Sequence, residues 1–227
     1  MKKPIFSATV FAVFVAALVA SATVIAAVTP KPKLSFFKSA ASIGWSSDGG
    51  SSPNDPTNDQ SIKIVVPGTT GSGAAGAFTW GKDEAANDIV GRYLSAVDFL
   101  SFDTMGYLGA GAPRISLTTF GDDGNHTYFL SAFHCNDALS GGWVEADFIH
   151  DTSSCFIFRD SEIVGYAGWA AVAAVAGANN ETVTDWFLIV DEGPSITYVD
   201  RLVVQDWGWV RSGSPGIISC LDVSPAC

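Results

Sequence analysis

Nine short apolar segments, nearly all bounded by Gly, Pro, Asp or Asn, set the terms for this 227-residue chain: SIKIVV, GAFTW, AVDFLSFDT, PRISLTTF, TYFLSAF, GWVEADF, CFIF, TDWFLIVD and TYVDRLVV. They are rich in β-branched and aromatic residues, and turn formers recur between them. This is the pattern of an antiparallel sandwich or barrel. Asp122-Asp123-Gly124-Asn125 joins two of the runs through a hairpin turn. One segment breaks the rhythm: in GWAAVAAVAGANNET the alanines disfavour a strand, and Gly177 suits the end of a short helix. With 48% hydrophobic and 15% charged residues, the chain is long enough to bury one core and too apolar to be disordered. The expectation is an all-β fold, an antiparallel β-sandwich with one short helix.

The start, MKKPIFSATVFAVFVAALVASATVIAA, places two lysines before an uncharged apolar run and then Ala20-Ser21-Ala22, the form of an export signal with its cleavage site. Residues 1–22 are read as a signal peptide, with Ala26 or Ala27 as rival ends. A retained membrane anchor is the competing reading, because the uncharged run from Pro4 to Thr29 is long enough to span a bilayer. Residues 23–61 then form a flexible lead, ending in the Ser-, Asp- and Gly-rich WSSDGGSSPNDPTNDQS; residues 62–211 form the sandwich domain and 212–227 a tail. An exported chain meets an oxidising compartment, so its four cysteines are expected in disulfides, Cys135 with Cys155 and Cys220 with Cys227.

Charge narrows the partners. The chain carries 12 basic and 23 acidic residues, a net −11 that becomes about −13 once Lys2 and Lys3 are removed. Such a surface repels phosphate backbones, which argues against nucleic acid and anionic membrane as partners.

The order of features, LGAGAPRISLTTFGDDGNHTYFLSAFHC, then GGWVEADF, WAAVAAVAG, VTDWFLIVDEG and ITYVDRLVV, resembles secreted jelly-roll domains related to galactose-binding-like and carbohydrate-binding modules over roughly residues 62 to 206. The resemblance implies a jelly-roll sandwich and an extracellular habitat. Its most specific parts are Gly111 to Arg114, Asp191 to Gly193 and Tyr198 to Asp200. Arg114, Asp191 and Asp200 are therefore expected in structural roles, with Arg114 aimed at a carboxylate such as Asp98, Asp103 or Asp200. The resemblance also suggests a structural calcium ion, for which Asp191, Glu192 and Asp200, with Asp48, Asp55 and Asp59, supply hard oxygens.

Among candidate binding residues, Trp207 and Trp209 are two apart and would share a face of an extended segment, with Arg211 beside them; such a patch could stack a saccharide. Equally, aromatic residues often close the end of a sandwich. Glu145 and Asp147 alternate with apolar residues and place two carboxylates on one strand face, a weak catalytic signal. His134 adjoins Cys135 and Asp137, but an oxidised Cys135 offers no thiolate. Asn125-His126-Thr127 and Asn180-Glu181-Thr182 match glycosylation acceptors and mark turns. No nucleophile elbow, zinc motif or phosphate loop is present. The reading is a secreted, non-enzymatic module that binds carbohydrate or a cell-surface glycan. The alternative is a structural or adhesive protein that binds another protein, and a polysaccharide-degrading enzyme is third.

Overall fold

Along Ser61–Val66, Ile62, Ile64 and Val66 are buried while Lys63 and Val65 are partly exposed, the two-residue period of a strand with one face on a core. That period, repeated along the chain, builds two antiparallel sheets. The computed structural model describes residues 32–37, 42–54, 60–67, 75–80, 89–109, 111–151, 155–160, 164–205, 207–209 and 216–217.

In chain order the strands are β1 (Pro32–Phe37), β2 (Ser42–Ser46), β3 (Ser61–Val66), β4 (Ala75–Trp80), β5 (Leu100–Gly106), β6 (Arg114–Gly121), β7 (Gly124–Ser131), β8 (Asp137–Ala138), β9 (Trp143–Asp147), β10 (Phe156–Arg159), β11 (Val164–Ala167), β12 (Thr182–Val190), β13 (Ser195–Val204), β14 (Trp207–Trp209) and β15 (Gly216–Ile217). A helix, α1 (Trp169–Ala178), precedes β12. Sheet A has the order β1-β4-β12-β6-β7-β10-β11. Sheet B runs β15-β14-β13-β5-β9-β8, with β3 on β13 and β2 on β3. On one side β13 pairs with β5; on the other, its first half meets β3 and its second half meets β14.

The core lies between the sheets. Ile115, Leu117, Tyr128, Leu130, Trp186 and Leu188 come from sheet A, and Ile62, Ile64, Phe102, Ala146, Val199 and Leu202 from sheet B, all essentially without solvent contact. Phe102 and Phe148 pack with ring centroids 5.7 Å apart. Fully burying an aliphatic or aromatic side chain of this size contributes about 1.5–3 kcal/mol. The expected helix forms where it was read. Its buried residues Trp169, Val172 and Ala176 follow a three- and four-residue spacing, and they set one face against the turn at Leu94–Ala96.

β1 and β2 lie inside residues 23–61, and each is paired, β1 with β4 in sheet A and β2 with β3 in sheet B. Ile43 and Trp45, at the start of the stretch that Ser, Asp and Gly dominate, pack against the core. Cys135 and Cys155 form the expected disulfide. Cys220, Cys227, the apolar start and Arg211 lie outside the described residues, among which no helix is long and apolar enough to cross a membrane.

Candidate functional site

Arg114 opens β6 and makes the expected bidentate pair, but with Asp191. Its Nη1 and Nη2 donate to Asp191 Oδ1 and Oδ2, both at 2.6 Å, and Nη1 also donates to the Gly111 carbonyl. The partner follows from register: Arg114 stands opposite Ile189 on β12, two residues before Asp191, whereas Asp103 and Asp200 belong to sheet B. The planar guanidinium also lies over the Phe129 ring, 5.3 Å from its centroid.

Sheet B carries a line of acids that the sequence reading did not assemble. Register puts Asp137, Glu145, Asp103 and Asp200 opposite one another across β8, β9, β5 and β13, on the face away from the core. A bulge after Asp200 turns Arg201, at φ 43°, back over this row. Arg201 Nε donates to Asp103 Oδ2 at 3.1 Å, and Nη2 bonds Glu145 Oε1. The β2–β3 loop completes the enclosure: the Ser52 hydroxyl and Asn54 Nδ2 donate to Asp103 Oδ2, and the Ser52 amide donates to Asp200 Oδ2 at 2.8 Å. Burial pushes the Asp103 carboxyl up and Arg201 draws it back only in part; Glu145 is raised for the same reason. Asp103 has no solvent contact, so it cannot touch a substrate, and Glu145 alone of this pair reaches water. The row thus fastens a loop to a sheet. Asp147, on the same face as Glu145, accepts the backbone amides of Ile149 and His150 at 3.0 and 2.9 Å and so shapes a turn.

The outer face of sheet A has a different chemistry. Ile115, Leu117, Tyr128, Ile157, Trp186 and Leu188 turn inward, so their neighbours turn outward. Register then lines up Phe158, Phe129, Ser116 and Phe187 across β10, β7, β6 and β12. Beside that row lie Phe156, Arg114 and Ile189. Gly165 on β11 faces Phe158, and its missing side chain leaves the space in which the Phe156 ring rests. The turn after β7 adds Phe133 and His134. Ser131 Oγ accepts from the Phe133 amide, and Asn136 Nδ2 donates to the Ala132 carbonyl, which hold that turn. His134 contacts Phe133, Phe158 and Phe156 edge-on, with centroids 5.0, 5.4 and 6.5 Å away, and burial lowers its pKa. Phe133 is 48% exposed and Phe156 39%. Among these apolar side chains the Ser116 hydroxyl and Arg114 Nε are buried without a protein hydrogen-bond partner.

The remaining sequence candidates stand apart. β14 pairs Trp207 with Val204 and Trp209 with Leu202, both core residues of β13. Trp143, Trp169 and Trp186 are buried. Glu192 accepts from the Tyr107 hydroxyl at 2.8 Å and Asp48 binds Lys63 at 2.6 Å, so the acids named for calcium have separate partners; Asp55 and Asp59 lie outside the described residues. Two clusters bring potential metal ligands together, Cys135 with Asp151 and Cys155, and Asp123 with His126 and Glu181. The first holds a disulfide, which offers no thiolate. In the second, Arg159 already pairs with both carboxylates, Asp123 at 3.2 Å and Glu181 at 2.7 Å. No family model matches the chain, and it matches neither a curated protein nor a solved structure.

Proposed function

We propose that the protein is a secreted, non-enzymatic binding module and that the outer face of sheet A is its ligand surface, with an uncharged glycan as the ligand. The observation that carries this reading is the row Phe158, Phe129, Ser116 and Phe187, flanked by Phe156 and Arg114. Sugar rings present apolar C–H faces that stack on aromatic rings, and here Phe156 is exposed while Phe129, Phe158 and Phe187 are part-exposed. The Arg114 charge is already matched by Asp191 and the chain is strongly acidic, so anionic polysaccharides are disfavoured. Secretion is supported by the amino-terminal segment and is compatible with the Cys135–Cys155 disulfide. The absence of solvent contact at Asp103 weighs against hydrolysis by the Asp103 and Glu145 pair.

A protein partner is the second reading, favoured by the exposed Phe133 and Phe156, since apolar patches often mark protein interfaces. A binding screen over neutral and acidic polysaccharides, run on the purified protein with and without calcium, decides between them. Saturable binding to a neutral glycan that weakens at least about tenfold in the Phe156→Ala, Phe158→Ala double variant, a loss of about 1.4 kcal/mol, supports the glycan surface. Binding that survives both substitutions places the site elsewhere, and silence across the panel favours the protein partner.

A further inference from the structure

We propose that the β10–β11 edge hairpin is fastened to the sandwich by a proton-dependent clasp centred on His126, closed when that ring is an imidazolium. The hairpin needs a fastener because β10 meets β7 through only two register pairs, Phe158 with Phe129 and Arg159 with Tyr128. At its amino-terminal end the Cys135–Cys155 disulfide ties it down. At the other end, charges alternate along a chain of side chains. Glu181, fully buried after α1, accepts from Thr119 Oγ1 at 2.7 Å, from the Tyr128 hydroxyl and from Arg159 Nη2 at 2.7 Å. Arg159 Nη2 also reaches Asp123 Oδ2 at 3.2 Å, in the β6–β7 turn. Asp123 Oδ1 then faces His126 Nε2 at 2.9 Å, and His126 Nδ1 faces Asp160 Oδ2 at 2.5 Å, at the end of β10.

Both ring nitrogens of His126 therefore point at carboxylate oxygens, which only accept. A neutral imidazole has one N–H and one lone pair, so it would set a lone pair against one carboxylate; the doubly protonated ring satisfies both. The groups facing the ring are Asp123 from the turn, Asp160 and Arg159 from β10, and through Arg159 the buried Glu181. Desolvation lowers the His126 pKa, but the bonds to Asp160 and Asp123 outweigh it and leave the pKa raised. Asp160 is the joint: its amide donates to the Thr127 carbonyl at 2.9 Å, and its Oδ1 accepts from the Thr127 amide at 2.9 Å. Loss of one imidazolium proton sets a lone pair against either Asp123 or Asp160 and so breaks one of the ring's two carboxylate contacts.

This clasp is independent of the ligand assignment. The test is an NMR titration of the His126 ring in the purified protein, with amide exchange protection at Asp160 and Thr127 followed over the same pH range. The expected result is a midpoint above the ordinary 6.5, and protection factors that fall about tenfold or more as pH rises through it. Asp160→Asn, which removes one carboxylate but keeps an acceptor, should lower the midpoint. A midpoint at or below 6.5, protection unchanged across the titration, or an unmoved midpoint in Asp160→Asn would each overturn the proposal.

Discussion

Arg201 joins the acid row of sheet B through Asp103 and Glu145. It is a non-glycine residue at positive φ, a conformation that costs energy unless its surroundings impose it, and here Asp103 and Glu145 do so. Arg201→Met should cost about 3–5 kcal/mol in urea unfolding, because it leaves the Asp103 carboxylate buried without a countercharge. His126 makes a prediction of opposite pH sense to that of the carboxylates around it. A raised histidine pKa stabilises the fold below the ordinary value near 6.5 and loses that contribution as pH rises through the folded-state pKa. Asp123 and Asp160 are lowered, since the His126 bonds outweigh desolvation, so their contribution is lost as pH falls below about 4. Thermal melts from pH 3 to 9 should therefore decline at both ends, with the alkaline decline reduced in His126→Gln. Some of this was legible in the sequence. A bidentate arginine at 114 was readable because a guanidinium in an apolar strand must be satisfied, but its partner depends on how β6 and β12 pair, which no local pattern encodes. Asp103 and Arg201, each set within an apolar run, carried the signal for the acid row, and only the register reveals that they meet.

At the scale of elements, the nine strands read from apolar runs, the hairpin and the helix followed from period and turn chemistry, which act over a few residues, while β1, β2, β8, β11 and β15 lay outside those runs. The aromatic row of sheet A was not legible, because it runs across four strands whose members are scattered from Ser116 to Phe187. A spacing of two likewise says which residues share a face, but not which face looks outward. Gly165 offers a gentle probe of that row. A methyl group there would strike the Phe156 ring, a side chain free to swing outward, so Gly165→Ala should change melting little while weakening any ligand held by Phe156. The disulfide calls for a larger effect. Replacing Cys135 and Cys155 by serine should lower stability by about 2–5 kcal/mol in calorimetry. Unchanged melting would mean that the turn bearing Phe133 and His134 and the start of β10 are held by packing alone.

For the molecule as a whole, the two sheets differ in what they turn outward. Sheet B presents an acid row closed over by a loop, and sheet A an aromatic row with unpaired polar atoms among its members. That asymmetry gives the sandwich one side closed by a loop and one side on which the Phe133 and Phe156 rings reach solvent. The early strands add a consequence for how the protein can be shortened. β1 and β2 are consecutive in the chain, yet one joins sheet A and the other sheet B, so this stretch stitches the layers together at their margins. A truncation at residue 61, where composition alone would place the domain's edge, would strip a neighbour from β4 and from β3 and remove Ser52 and Asn54 from Asp103. A unit that keeps both pairings therefore has to include Pro32, and a partner fused at the amino-terminal side has to be joined upstream of it.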